Sequence, residues 1–404
     1  CKINPRDFSI YWDICEQESH LRYPYYYDEP CAIGPESQAK SKRIQSLLYK
    51  SFRYFLPRYR QFEHIISFSD KSKFIVDHYD LEAVRIGFYR PDFVVNTSGG
   101  VQICELGARY YEAYWGHGIP EYIMEKRCRC KNDVGGKRVT EEVMAKAQAW
   151  WGSLDRLTIL KGRDREGDIR FYRPFFEKIG VELVYIYPDS LAENLHRLQE
   201  GPVLNSFSQM ELEALSPKEV EAIVASNCLN PLSTVMLLHD KRFLAVLWDD
   251  HFRQEALTAE ESAFLKKFLI PTYTRKQCPE VWDEARRNKD GFILKPQLLG
   301  KSEGIVPGPL VDDETWAGAF EDKAIQDMVL QPWIDQKIFN GTIDGKQFHD
   351  YSTGMMLCLE DDFHGLGQFR MTSAPVANFI KDDRKMAPWM TNDPKSYHAR
   401  YFEL

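Results

Sequence analysis

The chain has 404 residues, of which 44% are hydrophobic and 28% are charged. This size and composition are typical of a globular protein with about two to three domains. A net charge of −8 and a pI near 5.8 argue against a protein that grips nucleic acid or an anionic membrane by bulk charge.

Neither a membrane span nor a secretory signal is visible. No apolar run approaches the roughly 20 residues that a spanning helix needs, and residues 1–6 lack an apolar signal core. The nine cysteines are scattered, and the one close pair, Cys128 and Cys130, has no second pair at zinc spacing. We therefore expect reduced thiols in a cytoplasmic protein with no nucleic-acid or membrane partner. The sequence leaves monomer and homodimer open.

The first third of the chain contains a helix and a hairpin. Apolar residues recur at helical spacing within residues 36–66, with basic residues between them, which predicts a helix packed on a core. Residues 84–95 and 101–106 read as two strands joined by turn residues 96–100. A further helix is expected at residues 139–151.

The predicted hairpin carries the first candidate site. Alternation along a strand places Arg90 and Asp92 on one face, and Glu105 ends the returning strand close to Asp92. Two converging carboxylates beside an arginine are a plausible site for Mg²⁺ and phosphate, because magnesium takes oxygen ligands and shares them with phosphates. The alternative is a solvated ion pair in which Arg90 bridges both acids.

A small parallel α/β unit is predicted from about residue 155. Strands at 157–160 and 181–188 flank a helix at 168–179, which is a β-α-β pattern. Further helices are expected at 190–199 and 216–226. Lys161 and Gly162 are only weakly typical of a phosphate loop.

The second half begins with an apolar helix after residues 239–241 and a capped helix start at 257–261. Residues 292–305 then contain the second candidate site. A strand delivers Lys295 to a sheet edge, and a loop with Gly300 and Gly304 follows before a second strand. Such a loop can cradle phosphate oxygens, although an ordinary hairpin with a surface lysine is the alternative.

The last elements are a short helix from Thr315, a strand at 328–334 interrupted by Pro332, and strand pairs within residues 347–380. Together these motifs resemble the ATP-grasp superfamily in its circularly permuted form, similar in layout to the synthetase domain of glutathionylspermidine synthases. The motifs that carry the resemblance are Arg90-x-Asp92 with Glu105, Asp240-Lys241, Ile270-Pro271-Thr272, Leu294-Lys295-Pro296, Gly300 to Gly304, and residues 329–334.

The resemblance implies an α/β (α+β) fold: a circularly permuted ATP-grasp with an inserted small parallel α/β domain. It divides the chain into residues 1–150 with the metal-binding hairpin, 151–235 as the small domain, 236–346 as the nucleotide clamp with its flap, and 347–404 as strands that complete the core. The implied cofactors are ATP and Mg²⁺.

Roles follow position by position from the same resemblance. Lys241 and Lys295 would bind the α- and β-phosphates, and Asp92 and Glu105 would bind Mg²⁺. Arg90 and Arg370 would act on the transferring γ-phosphate. The flap would consist of Gly300, Lys301, Ser302, Glu303 and Gly304, and the adenine would meet Gln331, Trp333 and Ile334.

The sequence departs from the family pattern at one point. Gly107 stands where the family has an asparagine ligand, and water or Asn378 could supply the missing oxygen. The implied activity is an ADP-forming ligase that joins a small carboxylate to an amine (an amino acid, peptide or polyamine) through an acyl phosphate. The alternatives are an ATP-binding regulatory or scaffold protein and an ATP-grasp kinase.

Overall fold

The structure is a computed structural model that describes residues 7–22, 25–109, 118–126, 139–162, 169–300, 302–377, 382, 384–392 and 400–402. The predictions for Cys128, Cys130, Lys301 and Asn378 lie outside these residues. Within them, no helix has the length and apolar character needed to cross a bilayer.

A mixed set of helices surrounds four sheets. The α-helices are α1 (Asp7–Arg22), α2 (Pro35–Phe55), α3 (Asp70–Asp77), α4 (Gly118–Lys126), α5 (Val139–Trp151), α6 (Ile169–Lys178), α7 (Gln209–Glu213), α8 (Pro217–Val224), α9 (Leu232–Leu238), α10 (Phe243–Trp248), α11 (Asp250–Ala256), α12 (Ala259–Lys266), α13 (Pro279–Arg287) and α14 (Asp313–Glu321). The helix predicted within 36–66 is confirmed as α2. It tightens to a 3₁₀ helix at Leu56–Phe62, where Pro57 cannot donate a backbone hydrogen bond.

The largest sheet is antiparallel and is built around one long strand. Its order is β16-β15-β13-β2-β3, and two further strands, β12 and β14, also pair with β13. Its strands are β2 (Phe88–Val95), β3 (Val101–Gly107), β12 (Phe339–Ile343), β13 (Lys346–Leu359), β14 (Asp362–Leu366), β15 (Phe369–Thr372) and β16 (Arg384–Met386). The front hairpin β2–β3 thus joins strands from the end of the chain.

The predicted front hairpin is confirmed, with a later start. The first strand begins at Phe88 rather than Val84, because Gly87 turns the chain with φ +85°. A side chain there would lie 2.5 Å from the Asn230 amide oxygen. At the tip, the Asn96 side chain accepts hydrogen bonds from the backbone N–H groups of Ser98 and Gly100, which closes the turn.

The small parallel sheet is also confirmed. Strands β4 (Arg156–Leu160), β5 (Glu182–Ile186), β6 (Val203–Asn205) and β7 (Cys228–Leu229) lie in the order β5-β4-β6-β7 with every pair parallel. The helix predicted at 190–199 is wrong, since two 3₁₀ helices, Pro188–Ser190 and Leu195–Gln199, stand there. Ser190 donates to the Tyr187 carbonyl and Asn194 to the Ser190 carbonyl, and such local bonds compete with a continuous helix.

A four-stranded antiparallel sheet forms the lobe that follows, which we call the clamp. Its strands β8 (Tyr273–Thr274), β9 (Phe292–Pro296), β10 (Val306–Pro307) and β11 (Met328–Pro332) lie in the order β10-β9-β11-β8. One face of β9 and β11 packs Phe292, Leu294 and Leu330 on helices α13 and α14. Because side chains alternate, Lys295, Val329 and Gln331 share the opposite face.

A three-stranded sheet joins the first strand of the described chain to its last two strands. Strand β1 (Cys31–Ile33) lies between β17 (Pro388–Met390) and β18 (Arg400–Phe402), parallel to both. The predicted capped helix is confirmed as α12, where Thr258 and Glu261 form a capping box. Helix α14 begins before the predicted Thr315, because Asp312 caps it by accepting from the Thr315 N–H. The predicted division at 150, 235 and 346 stays a prediction.

Candidate functional site

The two predicted metal ligands are direct neighbours across the front hairpin. Asp92 on β2 pairs with Glu105 on β3, so their side chains share one face of the sheet. The register shifts directly after this pair, since Phe93 lies opposite Ile103 and Cys104 has no partner residue. This bulge fixes where the two carboxylates stand relative to the rest of the hairpin.

Both predicted catalytic arginines contact Asp92. The Arg90 guanidinium donates to the two carboxylate oxygens over 2.6 and 2.9 Å, and Arg370 on β15 reaches the same carboxylate over 3.3 Å. Asp92 is only 3% exposed. A buried carboxylate therefore lies in a bidentate pair with one arginine and in contact with a second.

The two predicted phosphate lysines reach the same hairpin from the rear half of the chain. Lys241 lies in the turn between α9 and α10, and its ammonium is 3.3 Å from Glu105. It also donates to the Leu299 carbonyl at the root of the flap. Lys295 on β9 donates to the Cys104 carbonyl over 3.4 Å. The structure thus brings both lysines and both carboxylates to one cleft.

The electrostatics of the cleft keep Glu105 charged. Burial alone would raise the pKa of Glu105, but the positive charges of Lys241, Lys295 and Arg90 outweigh it and lower the pKa to about 2. His239 is neutral for the converse reason. Its burial, with Arg109 and Lys241 nearby, lowers its pKa to about 3. Its Nδ1 accepts a hydrogen bond from the Ala108 N–H over 3.1 Å.

The predicted adenine residues lie at the far end of the clamp sheet. Gln331 is 1% exposed, and its amide nitrogen donates to the Thr272 hydroxyl over 2.9 Å, while its buried amide oxygen has no partner among the residues that the structure describes. The Trp333 N–H donates to the Gly291 carbonyl over 2.8 Å, and Ile334 is half-buried. Gln331 therefore presents one unused acceptor on the same face as Lys295.

The predicted flap closes the other end of that face. Ser302 and Gly304 have φ angles of 63° and 67°, a backbone region that glycine tolerates best. The Ser302 hydroxyl donates to the carbonyl of Ala377, in the segment after β15. Of the flap residues Gly300, Ser302 and Gly304, Ser302 therefore joins this loop to the segment that follows β15.

The side chains at the cleft suit the two implied ligands, ATP and Mg²⁺, to different degrees. For ATP, Lys295 and the unused Gln331 oxygen lie on one face of the clamp, and Lys241 reaches the same hairpin from the turn between α9 and α10. For Mg²⁺, Asp92 and Glu105 are hard oxygen donors, but each already faces a cation. Among the described residues, no group of three or more potential metal ligands occurs. Two carboxylates suit a magnesium ion that takes its other ligands from phosphates and water.

Sequence reasoning missed a buried polar group beside this cleft. Lys161 and Ser206 follow directly after the parallel strands β4 and β6, at the carboxyl edge where α/β sheets commonly bind ligands. Arg109, two residues after β3, donates to the Ser206 carbonyl over 3.1 Å. All three are buried. One indication of this group came from the sequence: the predicted β-α-β unit already placed Lys161 at the end of a strand.

Comparison with known proteins gives a family match over part of the chain. A family model described as the AnkG N-terminal domain matches residues 50–237. The ATP-grasp enzyme ankG of Aspergillus thermomutatus is 25% identical over 189 residues, which cover 43% of this chain and 38% of that protein. The matched part therefore spans less than two fifths of that relative.

Among solved structures, a glutathione synthetase-like effector from Globodera pallida superposes with a TM-score of 0.53 at 10% identity. The match covers 96% of this chain and 98% of the effector. A putative γ-glutamylcysteine synthetase from Methylobacillus flagellatus superposes more distantly, with a TM-score of 0.37 and 7% identity over 85% and 86% of the two chains.

Proposed function

We propose that this chain, which has the ATP-grasp fold in a glutathione synthetase-like arrangement, is an ATP-dependent ligase that joins a carboxylate to an amine. The observation that carries the proposal is the convergence of Lys241 and Lys295 on the Asp92–Glu105 hairpin. Cations and hard oxygen donors at one cleft are what a triphosphate and its metal ion require.

Each group has a task in this chemistry. Lys241 and Lys295 neutralise phosphate charge, and Asp92 and Glu105 hold Mg²⁺, which when bound spreads the negative charge of the phosphates. Arg90 and Arg370 lie on Asp92 and can turn to the transferring phosphoryl group, where preorganised positive charge stabilises the transition state. Gln331 offers its unused amide oxygen to the amino group of the base.

The reaction we infer has two steps. The substrate carboxylate attacks the γ-phosphate and releases ADP, and the amine then attacks the acyl carbon and displaces phosphate. Such an acyl phosphate hydrolyses readily, so water must be excluded while it lasts. We assign this role to the flap at 300–304, because Lys241 holds the preceding residue Leu299 by its carbonyl and Ser302 donates to Ala377.

We further infer that the acid is held beside this cleft by Arg109 and Lys161. Both carry positive charge at the carboxyl edge of the small sheet, and Arg109 links this edge to the hairpin, because it follows β3 by two residues and donates to the Ser206 carbonyl. A carboxylate is the natural partner of such charge.

A second candidate is an ATP-binding protein that ligates nothing. Two observations favour it: Gly107 lacks the family's asparagine oxygen, and Asp92 is already neutralised by two guanidinium groups. Nucleotide binding without substrate-dependent ADP release would support this candidate over the ligase.

Lys295→Met tests the proposal. Screening amino acids, peptides and polyamines for ADP release identifies a working pair for the wild type. We expect the variant to lose about 100-fold or more of that rate, as for other transition-state charge contacts. Its melting temperature should stay the same, because Lys295 makes one long backbone contact.

The matched control is Lys323→Met, which removes the same charge from an exposed position of the clamp. It should turn over normally. Normal ADP release by Lys295→Met, or no ADP release by the wild type with any acid and amine, would contradict the ligase.

A further inference from the structure

A cavity of about 350 Å³ lies at the root of the flap and involves neither the carboxylate hairpin nor the two phosphate lysines. Three parts of the chain meet there: the segment leading into α3, helix α7 with α9, and the clamp. Its wall consists of Ser67, Phe68, Ser69, Ser72, Gln209, Glu213, Met236, Asp240, Arg242, Gln297, Leu298 and Asp327.

Among the described wall residues one is a cation, Arg242, and its guanidinium is already hydrogen-bonded. The Arg242 guanidinium donates to both oxygens of Asp240 over 2.7–3.1 Å, and also to the Ser67 carbonyl over 3.1 Å. The wall also contains Glu213 and Asp327, and Asp327 lies 3.6 Å from the same guanidinium, so three carboxylates face one cation and the net charge of the described wall is negative. Glu213 accepts from the hydroxyls of Ser69 and Ser72, which hold its carboxylate in place.

Two amide side chains in the wall have buried atoms without a hydrogen-bond partner among the described residues. Gln209 is only 2% exposed, and within the described part of the chain neither its amide nitrogen nor its amide oxygen has a hydrogen-bond partner. The amide oxygen of Gln297 is likewise buried without one. Buried polar atoms are normally satisfied, so unsatisfied atoms around an open cavity indicate a missing occupant. Two of these three atoms are oxygens that accept hydrogen bonds, and one is a nitrogen that donates them.

The geometry points to an unassigned binding site for a small aliphatic amine that carries a second hydrogen-bonding group. Its ammonium would donate to Glu213 and to the amide oxygens, and its second group would meet the Gln209 amide. Phe68, Met236 and Leu298 offer apolar surface for the chain between them. The site is separate from the ligase chemistry proposed above and is tested without turnover.

The experiment is titration calorimetry of the full chain with 4-aminobutan-1-ol, with 1,4-butanediol as the matched neutral probe. We expect the amino alcohol to bind and the diol to bind at least about tenfold more weakly, because a charge-assisted bond is lost. Glu213→Gln keeps an acceptor for the two serines and removes the charge. It should lower the affinity for the amino alcohol by a similar factor.

Two further variants separate binding from folding. Gln209→Leu removes the unpaired amide from the wall and should also lower the affinity for the amino alcohol. Glu221→Gln, an exposed position on α8 outside the cavity, makes the same charge change as Glu213→Gln and should bind like the wild type. Equal affinity of the wild type for amine and diol, equal affinity of wild type and Glu213→Gln for the amine, or no binding at all would overturn the site.

Discussion

Asp92 shows how the site is held before any ligand arrives. Its carboxylate lies in a bidentate pair with Arg90, which occupies the neighbouring position on the same strand face, and Arg370 contacts it from β15. Glu105 is balanced in the same way by Lys241. Each predicted metal ligand is therefore paired with a cation that is predicted to bind phosphate. Binding a metal–triphosphate complex would exchange both pairings together and leave no charge uncompensated.

Gly107 gives the first prediction at this scale. A Cβ built there lies 3.5 Å from the Arg90 carbonyl and 3.8 Å from its guanidinium, which is ordinary contact, so a side chain fits. Gly107→Asn adds an amide oxygen beside the two carboxylates, and we expect the Mg²⁺ concentration at half-maximal nucleotide binding to fall. The measurement is a Mg²⁺ titration of nucleotide affinity.

Gly107→Ala is the control for that change, because it adds the Cβ without the oxygen. It should leave the Mg²⁺ requirement where the wild type has it. If Gly107→Asn and Gly107→Ala respond alike, the missing asparagine has no bearing on metal binding.

His239 gives the second residue-scale prediction. Its folded pKa of about 3 lies below the ordinary value of 6.5, so between these values the unfolded chain binds the extra proton. The stability that His239 contributes is therefore complete above pH 6.5 and declines as the pH falls through this window. The slope approaches about 1.4 kcal/mol per pH unit. Protonation of Nδ1 would break its bond to Ala108.

Denaturant unfolding between pH 7 and 5 measures this slope. His239→Asn keeps an acceptor but cannot titrate, so its stability should vary less with pH than that of the wild type. His251→Asn removes an exposed histidine and should leave the slope unchanged. A wild-type slope retained in His239→Asn would assign the pH dependence to another group.

At the scale of single helices and strands, the local sequence pattern predicted the elements that interactions between nearby residues determine. The front hairpin was found because alternation and the Asn96 turn are encoded within a few residues. The Lys295 strand was found for the same reason. The helix at 190–199 was wrong because side-chain bonds to the neighbouring backbone outweighed propensity.

The buried group of Arg109, Lys161 and Ser206 was missed for a different reason. Three strands that are far apart in sequence bring these residues together, and no local pattern carries that information. The same holds for the contact between Arg370 and Asp92, which only the resemblance could anticipate. Side chains that meet across sheets are thus the part of the site that sequence patterns leave undetermined.

The flap provides the prediction for an element. A Cβ at Gly304 would stand 2.8 Å from the Pro296 ring on a residue with φ +67°. Gly304→Ala should therefore displace the flap and weaken nucleotide binding, with little change in melting temperature, because the loop packs little apolar surface. Gly318→Ala is the matched control. It lies on α14, its Cβ meets nothing within 4 Å, and it should stabilise the helix by about 0.5–1 kcal/mol.

Nucleotide affinity and thermal unfolding of both glycine variants check this prediction. Unchanged affinity in Gly304→Ala would mean that the flap does not touch the nucleotide.

Across the whole molecule, the clamp has an apolar core of its own. Trp282, Trp316, Phe320, Leu294 and Leu330 pack together between its sheet and helices α13 and α14, as a cluster distinct from the two larger ones. Lys295 donates to Cys104 in the large sheet and Ser302 donates to Ala377 in the segment after β15, so both of these contacts across the clamp boundary are polar. A lobe with its own core and a polar seam can shift as a unit without breaking either core.

Leu330→Ala tests this independence. Leu330 is fully buried in the clamp core, so the truncation should cost about 2–5 kcal/mol. If the clamp opens as a separate unit, hydrogen exchange should rise in peptides from 273–332 and stay slow in 88–107. Leu204→Ala, the same change in a different core, should leave the clamp peptides protected. Exchange that rises equally in both regions for Leu330→Ala would show one cooperative unit, and flap movement would then have to arise within residues 298–304 alone.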